Sequence, residues 1–421
     1  MKSSEGSLSE KTKIMMIICD GMGDRPIPEL GGRTPLEAAE TPRMDMLALR
    51  GETCIVDVIA PGVRPGSDTA HLALCGYDPY EYYTGRGPFE AVGAGMDVKP
   101  GDIALRLNFA TVEERNGALV VTDRRAGRIT EGTDELAAAL NEIEIEGARL
   151  FVKESTAHRA ALVIRGDGLG HEVSDVDPHE VGVPVRTAEG AGEANEKTAR
   201  IINEFVRRSY EILKAHPVNE ERARTGKPPA NILLPRGIGL APHVPAFGEK
   251  HKLKSAAAVE VGLIRGIAKY LKIDVIKLPA SVTGGLDSDF DAMFAAALAA
   301  FDNYEFMLIN AKGPDIGGHD NNPAAKVEVI ERIDAALEPV VERAASGVHL
   351  AVLADHSTPC AVGDHSGDPV PCLFYGPGVR TDDTATFGER NCARGGGGRL
   401  RGRDVLPVLI QLSGRAEKFG A

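Results

Sequence analysis

Three apolar runs that each lead into an acidic residue constrain this chain more than any other feature. Ile14 to Cys19 is continuously apolar and stops at Asp20-Gly21. Phe306 to Ile309, with Tyr304 before it, leads into Asn310-Ala311-Lys312-Gly313-Pro314-Asp315, and Val348 to Ala354 leads into Asp355-His356. Runs without polar alternation read as strands covered on both faces, which is the signature of a parallel sheet. Helical stretches follow the same grammar: Asp291 to Ala300, and Ala324 to Ala345 with an interruption at Pro339. The pattern is βαβ, hence an α/β fold with a covered, mostly parallel sheet. Ligands of such sheets bind just past the carboxyl ends of the strands, so three acidic tips can converge on one site.

The chain has 421 residues, room for two or three domains at about 150 residues each. From about Gly101 to Pro235 the pattern changes to short β-like runs (Leu119 to Thr122, Ala160 to Ile164) and two helical segments, Asp134 to Glu146 and Glu193 to Ala215. This predicts a smaller α+β domain, residues 101–235, inserted into a discontinuous one, residues 14–100 and 236–421. The flanks Thr84-Gly85-Arg86-Gly87-Pro88 and Leu234-Pro235-Arg236-Gly237-Ile238-Gly239 carry the Gly and Pro of hinges. Residues 1–13 are polar and read as a flexible leader outside the fold, with Met15 or Met16 as an alternative start. Gly395 to Gly398 reads as a mobile loop, and Arg394, Arg399, Arg401 and Arg403 around it read as surface charge, the alternative being that they close over substrate.

Composition excludes some functions. No apolar run reaches about 18 residues, which rules out a spanning helix, and a net charge of −13 argues against nucleic acid or an anionic membrane as partner. An anionic substrate must therefore meet a local positive site. Six scattered cysteines, without a C-x-x-C pair or a signal peptide, predict a reduced, cytoplasmic setting.

Carboxylates and imidazoles suit divalent ions, and Asp20, Asp315, His319, Asp355, His356 and His365 supply more of them than one ion needs, so two ions are expected. Any one of these residues taken alone reads as a cap, a turn or a core histidine; the clustering argues for a metal site. In Pro65-Gly66-Ser67-Asp68-Thr69-Ala70-His71 a turn gives way to a helical pattern, placing Ser67 at a helix N-terminus. Free N–H groups there favour an anion, and a metal would lower the hydroxyl pKa to make Ser67 a nucleophile. The plainer alternative is that Ser67 or Asp68 is an N-cap and His71 a structural histidine.

These residues occur in the order found in the alkaline phosphatase superfamily. More closely, Ile18-Cys19-Asp20-Gly21-Met22-Gly23-Asp24-Arg25-Pro26, Gly85-Arg86-Gly87-Pro88-Phe89-Glu90-Ala91, Asn310 to Asp315 and Ala354-Asp355-His356-Ser357-Thr358-Pro359 resemble the archaeal-type cofactor-independent phosphoglycerate mutases, over nearly the whole chain from Ile14. The resemblance implies an alkaline-phosphatase-like fold and interconversion of 2-phosphoglycerate and 3-phosphoglycerate, in glycolysis and gluconeogenesis, through a phosphoserine at Ser67. It assigns Asp20, Ser67, Asp355 and His356 to one ion, and Asp315, His319 and His365 to the other. Manganese is the leading choice, with Mg, Co and Zn also suited, and 2,3-bisphosphoglycerate is not required.

Arginine pairs bidentately with carboxylate and phosphate, so Arg124, Arg125 and Arg128 are expected to hold the substrate, unless Asp123 to Arg128 is only a solvated turn. His158, Arg159, Asp175 and Arg236 are further substrate-binding candidates, because related mutases use such a set. Lys312 is expected to reach the phosphoryl group or to be an exposed loop lysine. Rival readings are a metal-dependent phosphomonoesterase, a mutase of another phosphorylated metabolite, and a non-catalytic metal-binding protein. A sulfatase is disfavoured by Asp68-Thr69-Ala70-His71 after Ser67. Oligomeric state stays open.

Overall fold

A computed structural model describes residues 11–420, and the chain divides into two compact units, one running to Glu81 and resuming at Pro245, the other Tyr82–Val244. In chain order the strands of the first unit are β1 (Lys13–Cys19) and β2 (Glu52–Asp57); those of the second are β3 (Ile103–Arg115), β4 (Ala118–Asp123), β5 (Ile143–Ile145), β6 (Ala148–Glu154), β7 (Arg159–Arg165) and β8 (Ile232–Leu240). The first unit then resumes with β9 (Ser255–Val259), β10 (Asp274–Val275), β11 (Phe306–Ala311), β12 (Val348–Leu353), β13 (Val370–Tyr375) and β14 (Arg399–Arg401).

The larger unit is built on an eight-stranded sheet of order β10-β9-β11-β1-β12-β13-β2-β14. Only β13 runs against its neighbours. The apolar runs are central for the predicted reason: every residue from Ile14 to Cys19 is buried, and β1 pairs in parallel with β11 on one side and β12 on the other. Asp20, Asp315 and Asp355 therefore leave the same edge of the sheet. Gly21 makes the first of these turns possible. Its φ of +65° is left-handed, and a Cβ there would sit 2.6 Å from the Cα of Asp315.

The smaller unit carries an antiparallel sheet in the order β4-β3-β7-β6-β5, with β8 also on β3. The long strand β3 pairs with β7 and β8 through its first half and with β4 through its second. The amphipathic helix Glu193–Leu213 buries Ile201, Ile202, Phe205 and Leu213 in this unit's core.

Several boundaries differ from the sequence reading. Residues 82–100 and 236–244 lie in the smaller unit, because Leu240 at the end of β8 pairs with Ile103 and the Ala241 N–H donates to the Asp102 carbonyl. Most of the expected leader lies outside the described residues, but Lys13 opens β1 opposite Val348. Only Thr133–Ala138 of the expected helix 134–146 is helical; left-handed Glu142 and Glu146 bracket β5, which forms a hairpin with β6. The glycine run is tied down rather than free: Gly396 N–H donates to Asp382 and Gly397 N–H to the Thr53 carbonyl. Three of the four arginines around it are paired, Arg399 with Asp57, Arg401 with Asp404 and Arg403 with Asp78. Among the described residues no helix is long and apolar enough to cross a membrane, and all six cysteines are buried free thiols.

One buried ion pair braces the tips. Lys326, on the helix Pro323–Ala336, is fully buried and donates to Asp24 (2.8 Å), the Gly23 carbonyl (3.1 Å) and the Thr358 carbonyl (2.9 Å). Breaking such a pair strands a buried carboxylate, at a cost of about 3–5 kcal/mol. Lys326→Met should lower the unfolding free energy by that order in a urea titration, and a change below about 1 kcal/mol would show the pair to be dispensable.

Candidate active site

Ser67 is the first residue of the helix Ser67–Leu74, entered from extended Gly66. The Thr69 hydroxyl accepts the Gly66 N–H at 3.1 Å and the Thr69 N–H donates to Asp68 Oδ1 at 2.9 Å, which fixes the turn and sets Ser67 at the positive end of the helix dipole. The Ser67 Oγ lies 3.3 Å from His356 Nε2. His71, one turn on, is structural: its ring nitrogens lie 2.7 Å from the Ser67 carbonyl and 2.9 Å from Asn310 Oδ1. The Asn310 amide in turn donates to Asp20 at 3.1 Å. Burial lowers the His71 pKa.

Around His356 two groups of side chains that could each hold a metal ion draw together, Asp20 with Asp355 and His356, and Asp315 with His356 and His365. His356 Nε2 is 3.2 Å from Asp355 Oδ2 and 3.7 Å from Asp20 Oδ1. Asp315 and His319 sit four residues apart on the short helix Gly313–His319, with His319 Nε2 3.5 Å from Asp315 Oδ1. His365 Nε2 reaches the same oxygen at 3.5 Å. The other nitrogens of these rings face backbone, His319 Nδ1 the Gly363 carbonyl at 3.0 Å and His365 Nδ1 the Pro65 carbonyl at 2.9 Å. That orients each Nε2 toward the carboxylate, as outer hydrogen bonds orient metal-ligating histidines. Gly318 allows the approach, since a Cβ there would lie 2.2 Å from the Thr358 carbonyl oxygen.

The electrostatics are those of a site built for cations. Three buried carboxylates share one ammonium, Lys312, whose Nζ lies 2.9 Å from Asp20 and 2.6 Å from Asp315. Lys312 is thus no exposed loop lysine. Burial works to lower its pKa, but Asp20 and Asp315 outweigh burial and the net shift is upward. Burial, followed by the Asp20 charge, holds Asp355 well above the usual carboxylate range. Burial, then His365, holds His356 well below the usual imidazole range; the His356 and His365 rings stack at 3.6 Å. For His365 burial acts downward but the bond to Asp315 and the Pro65 carbonyl prevail, so its pKa rises. Asp355 Oδ2 is buried without a hydrogen-bond partner, an arrangement that costs free energy unless a cation satisfies it. The Asp and His donors fit divalent ions.

The smaller unit holds the other expected residues. Arg124 makes a bidentate pair with buried Asp177, at 2.9 and 2.6 Å, while Arg125 and Arg128 are exposed around a turn in which Asp123 accepts the N–H groups of Arg125 and Gly127. Arg236, on β8, faces Arg106 on β3, and Arg159, on β7, faces Asn108. Arg236 lies 3.8 Å from Asp177, and its Nε is buried without a hydrogen-bond partner. Asp175 accepts the Gly237 N–H at 2.8 Å and meets His179 at 3.4 Å.

Arg86 and Arg106, which the sequence reading did not select, share Glu90 at 3.0 and 3.2 Å. Burial, against the pull of Glu90 and with neighbouring arginines adding, lowers Arg106 to about 10. Burial, then Arg159, Arg125 and Arg236, lowers His158 to about 4. Arginines thus outnumber acids in this cluster, and an anion would relieve the excess. The available signal was a charged residue inside the apolar run Ile103 to Phe109.

The fold is α/β, a mostly parallel covered sheet with acidic strand tips and a second, inserted unit. The profile of the 2,3-bisphosphoglycerate-independent phosphoglycerate mutase family matches residues 48–219. Curated mutases of that name from Methanothermobacter thermautotrophicus and Pyrococcus furiosus are 50% and 49% identical to this chain, covering 97% and 98% of it and all of their own length. The solved structure of the cofactor-independent phosphoglycerate mutase from Thermoplasma acidophilum is similar at a TM-score of 0.73 and 37% identity, over 96% of this chain and all of that one. A solved protein from Pyrococcus horikoshii matches at a TM-score of 0.85 and 42% identity, over 98% of this chain and all of its own. The chain belongs to the 2,3-bisphosphoglycerate-independent phosphoglycerate mutases, which are isomerases.

Proposed function

We propose that the chain interconverts 2-phosphoglycerate and 3-phosphoglycerate by passing the phosphoryl group through Ser67. The observation that carries this reading is the convergence of Ser67, the unpartnered Asp355 oxygen and the His356 ring at the helix N-terminus. Ser67 Oγ attacks the phosphorus and the bond to the glycerate oxygen breaks, so that the phosphoserine forms and the proton lost by the serine hydroxyl is taken up by the released glycerate oxygen, to be returned when the phosphoryl group goes back. The glycerate reorients, and its other hydroxyl takes the phosphoryl group back. Asp20, Ser67, Asp355 and His356 would hold one divalent ion and Asp315, His319 and His365 the other, with His356 adjoining both groups. When bound, such ions stabilise charge on the attacking, leaving and phosphoryl oxygens. Manganese is the leading choice.

The chain's own groups do the rest. The positive dipole end of the Ser67 helix favours the phosphoryl oxygens, and Lys312 balances charge between Asp20 and Asp315. Arg236, Arg159 and His158 recognise the glycerate, with Asp175 positioning the β8 backbone and Arg124, Arg125 and Arg128 contributing positive potential. The reading places the enzyme in the cytoplasm, in glycolysis and gluconeogenesis.

The test is conversion of 3-phosphoglycerate coupled to enolase, with manganese, without 2,3-bisphosphoglycerate, while free phosphate is followed. Rapid conversion with little phosphate released is expected. Phosphate release without isomerisation would make the protein a phosphomonoesterase instead.

A further inference from the structure

The two groups of metal-binding atoms are joined by one hydroxyl. Thr358 is fully buried, and its backbone is fixed from both sides: its N–H donates to the Gly23 carbonyl at 3.0 Å and its carbonyl accepts from Lys326 at 2.9 Å. The Oγ1 so placed lies 2.7 Å from Asp315 Oδ1 and 3.0 Å from His356 Nδ1. A threonine hydroxyl carries one hydrogen. It donates that hydrogen to the carboxylate, so toward His356 it can only accept. The ring must then carry its proton on Nδ1, which leaves Nε2 as a lone pair directed at Ser67 (3.3 Å), Asp355 (3.2 Å) and Asp20 (3.7 Å).

We infer that Thr358 is a positioning residue that sets the His356 tautomer and couples the Asp315 group to the Asp20 group through a single hydrogen-bond chain. The coupling to metal rests on the reading above; the tautomer assignment does not. Replacing the hydroxyl by a methyl removes the acceptor, so the proton is free to move to Nε2, where it blocks the nitrogen that would bind an ion. Outer partners of this kind change metal affinity by about 10–100-fold.

The test uses the full chain stripped of metal, with histidine labelled by nitrogen-15, as wild type, Thr358→Val and Thr358→Ser. Long-range proton–nitrogen correlation spectra are expected to show the Nδ1–H form of His356 in wild type and in the serine variant, and Nε2–H in the valine variant. Manganese titration, read from the electron paramagnetic resonance of the free ion, should then give affinity about 10–100-fold weaker for Thr358→Val and a near wild-type value for Thr358→Ser. Similar melting temperatures for all three would show that loss of structure is not the cause. An Nε2–H tautomer in wild type overturns the inference, as does a valine variant with unchanged tautomer and affinity. A wild type that takes up no manganese but shows the tautomer shift supports the positioning role and overturns the metal reading instead.

Discussion

Ser67→Ala is expected to lower conversion of 3-phosphoglycerate by about 10⁴-fold or more, equivalent to about 5.5 kcal/mol of lost transition-state stabilisation. On the proposed reading the Ser67 hydroxyl forms the covalent intermediate, and it lies 3.3 Å from His356 Nε2. The substitution removes one oxygen. It leaves the turn intact, because the Gly66 N–H is met by Thr69, not by Ser67. Melting temperature should therefore stay close to wild type, and manganese stoichiometry should hold because Asp20, Asp355 and His356 remain in place. Incubation with substrate followed by intact-mass measurement should show a phosphoryl adduct on wild type and none on the variant. Turnover within about tenfold of wild type would exclude a phosphoserine.

Chelation should have the second largest effect. Treatment with EDTA followed by gel filtration is expected to reduce conversion by about 10³-fold, corresponding to the several kcal/mol that bound ions contribute to phosphoryl transfer, and added manganese should restore it. The same treatment should lower thermal stability. Three buried carboxylates set against the Lys312 ammonium leave an excess of negative charge, and ions that bind only the folded state add about 2.7 kcal/mol at a hundred times their dissociation constant. Full conversion by chelated protein, with no change in melting temperature, would remove metal from the mechanism.

The parts of this molecule that were legible in the sequence are those written as contiguous pattern. Strands β1, β11 and β12 are buried on both faces and so appear as unbroken apolar runs, and the residues at their ends follow by topology alone. The break at Pro339 appears as two helices, Pro323–Ala336 and Glu338–Ala345. Pairings between distant segments were not legible. Arg106 and Arg236 become neighbours because β3 and β8 share a register, and Asp177 enters the cluster by pairing with Arg124. The unit boundaries moved for the same reason, since nothing local in 236–240 announces that these residues complete β8. Thr358 was visible only as part of a motif, because its role depends on where one hydrogen points.

The position of β1 also bears on how the chain is made. Its two partners, β11 and β12, lie at residues 306–311 and 348–353, whereas β1 begins at Lys13. At about 5–20 residues per second of synthesis, its apolar side chains wait roughly 17–67 s before the second neighbour has been added. The antiparallel unit, whose strands all lie within residues 103–240, is complete well before then. Among the described strands β1 is made first, yet it gains its second neighbour only with β12, so a newborn chain needs this apolar segment shielded until the sheet can close around it.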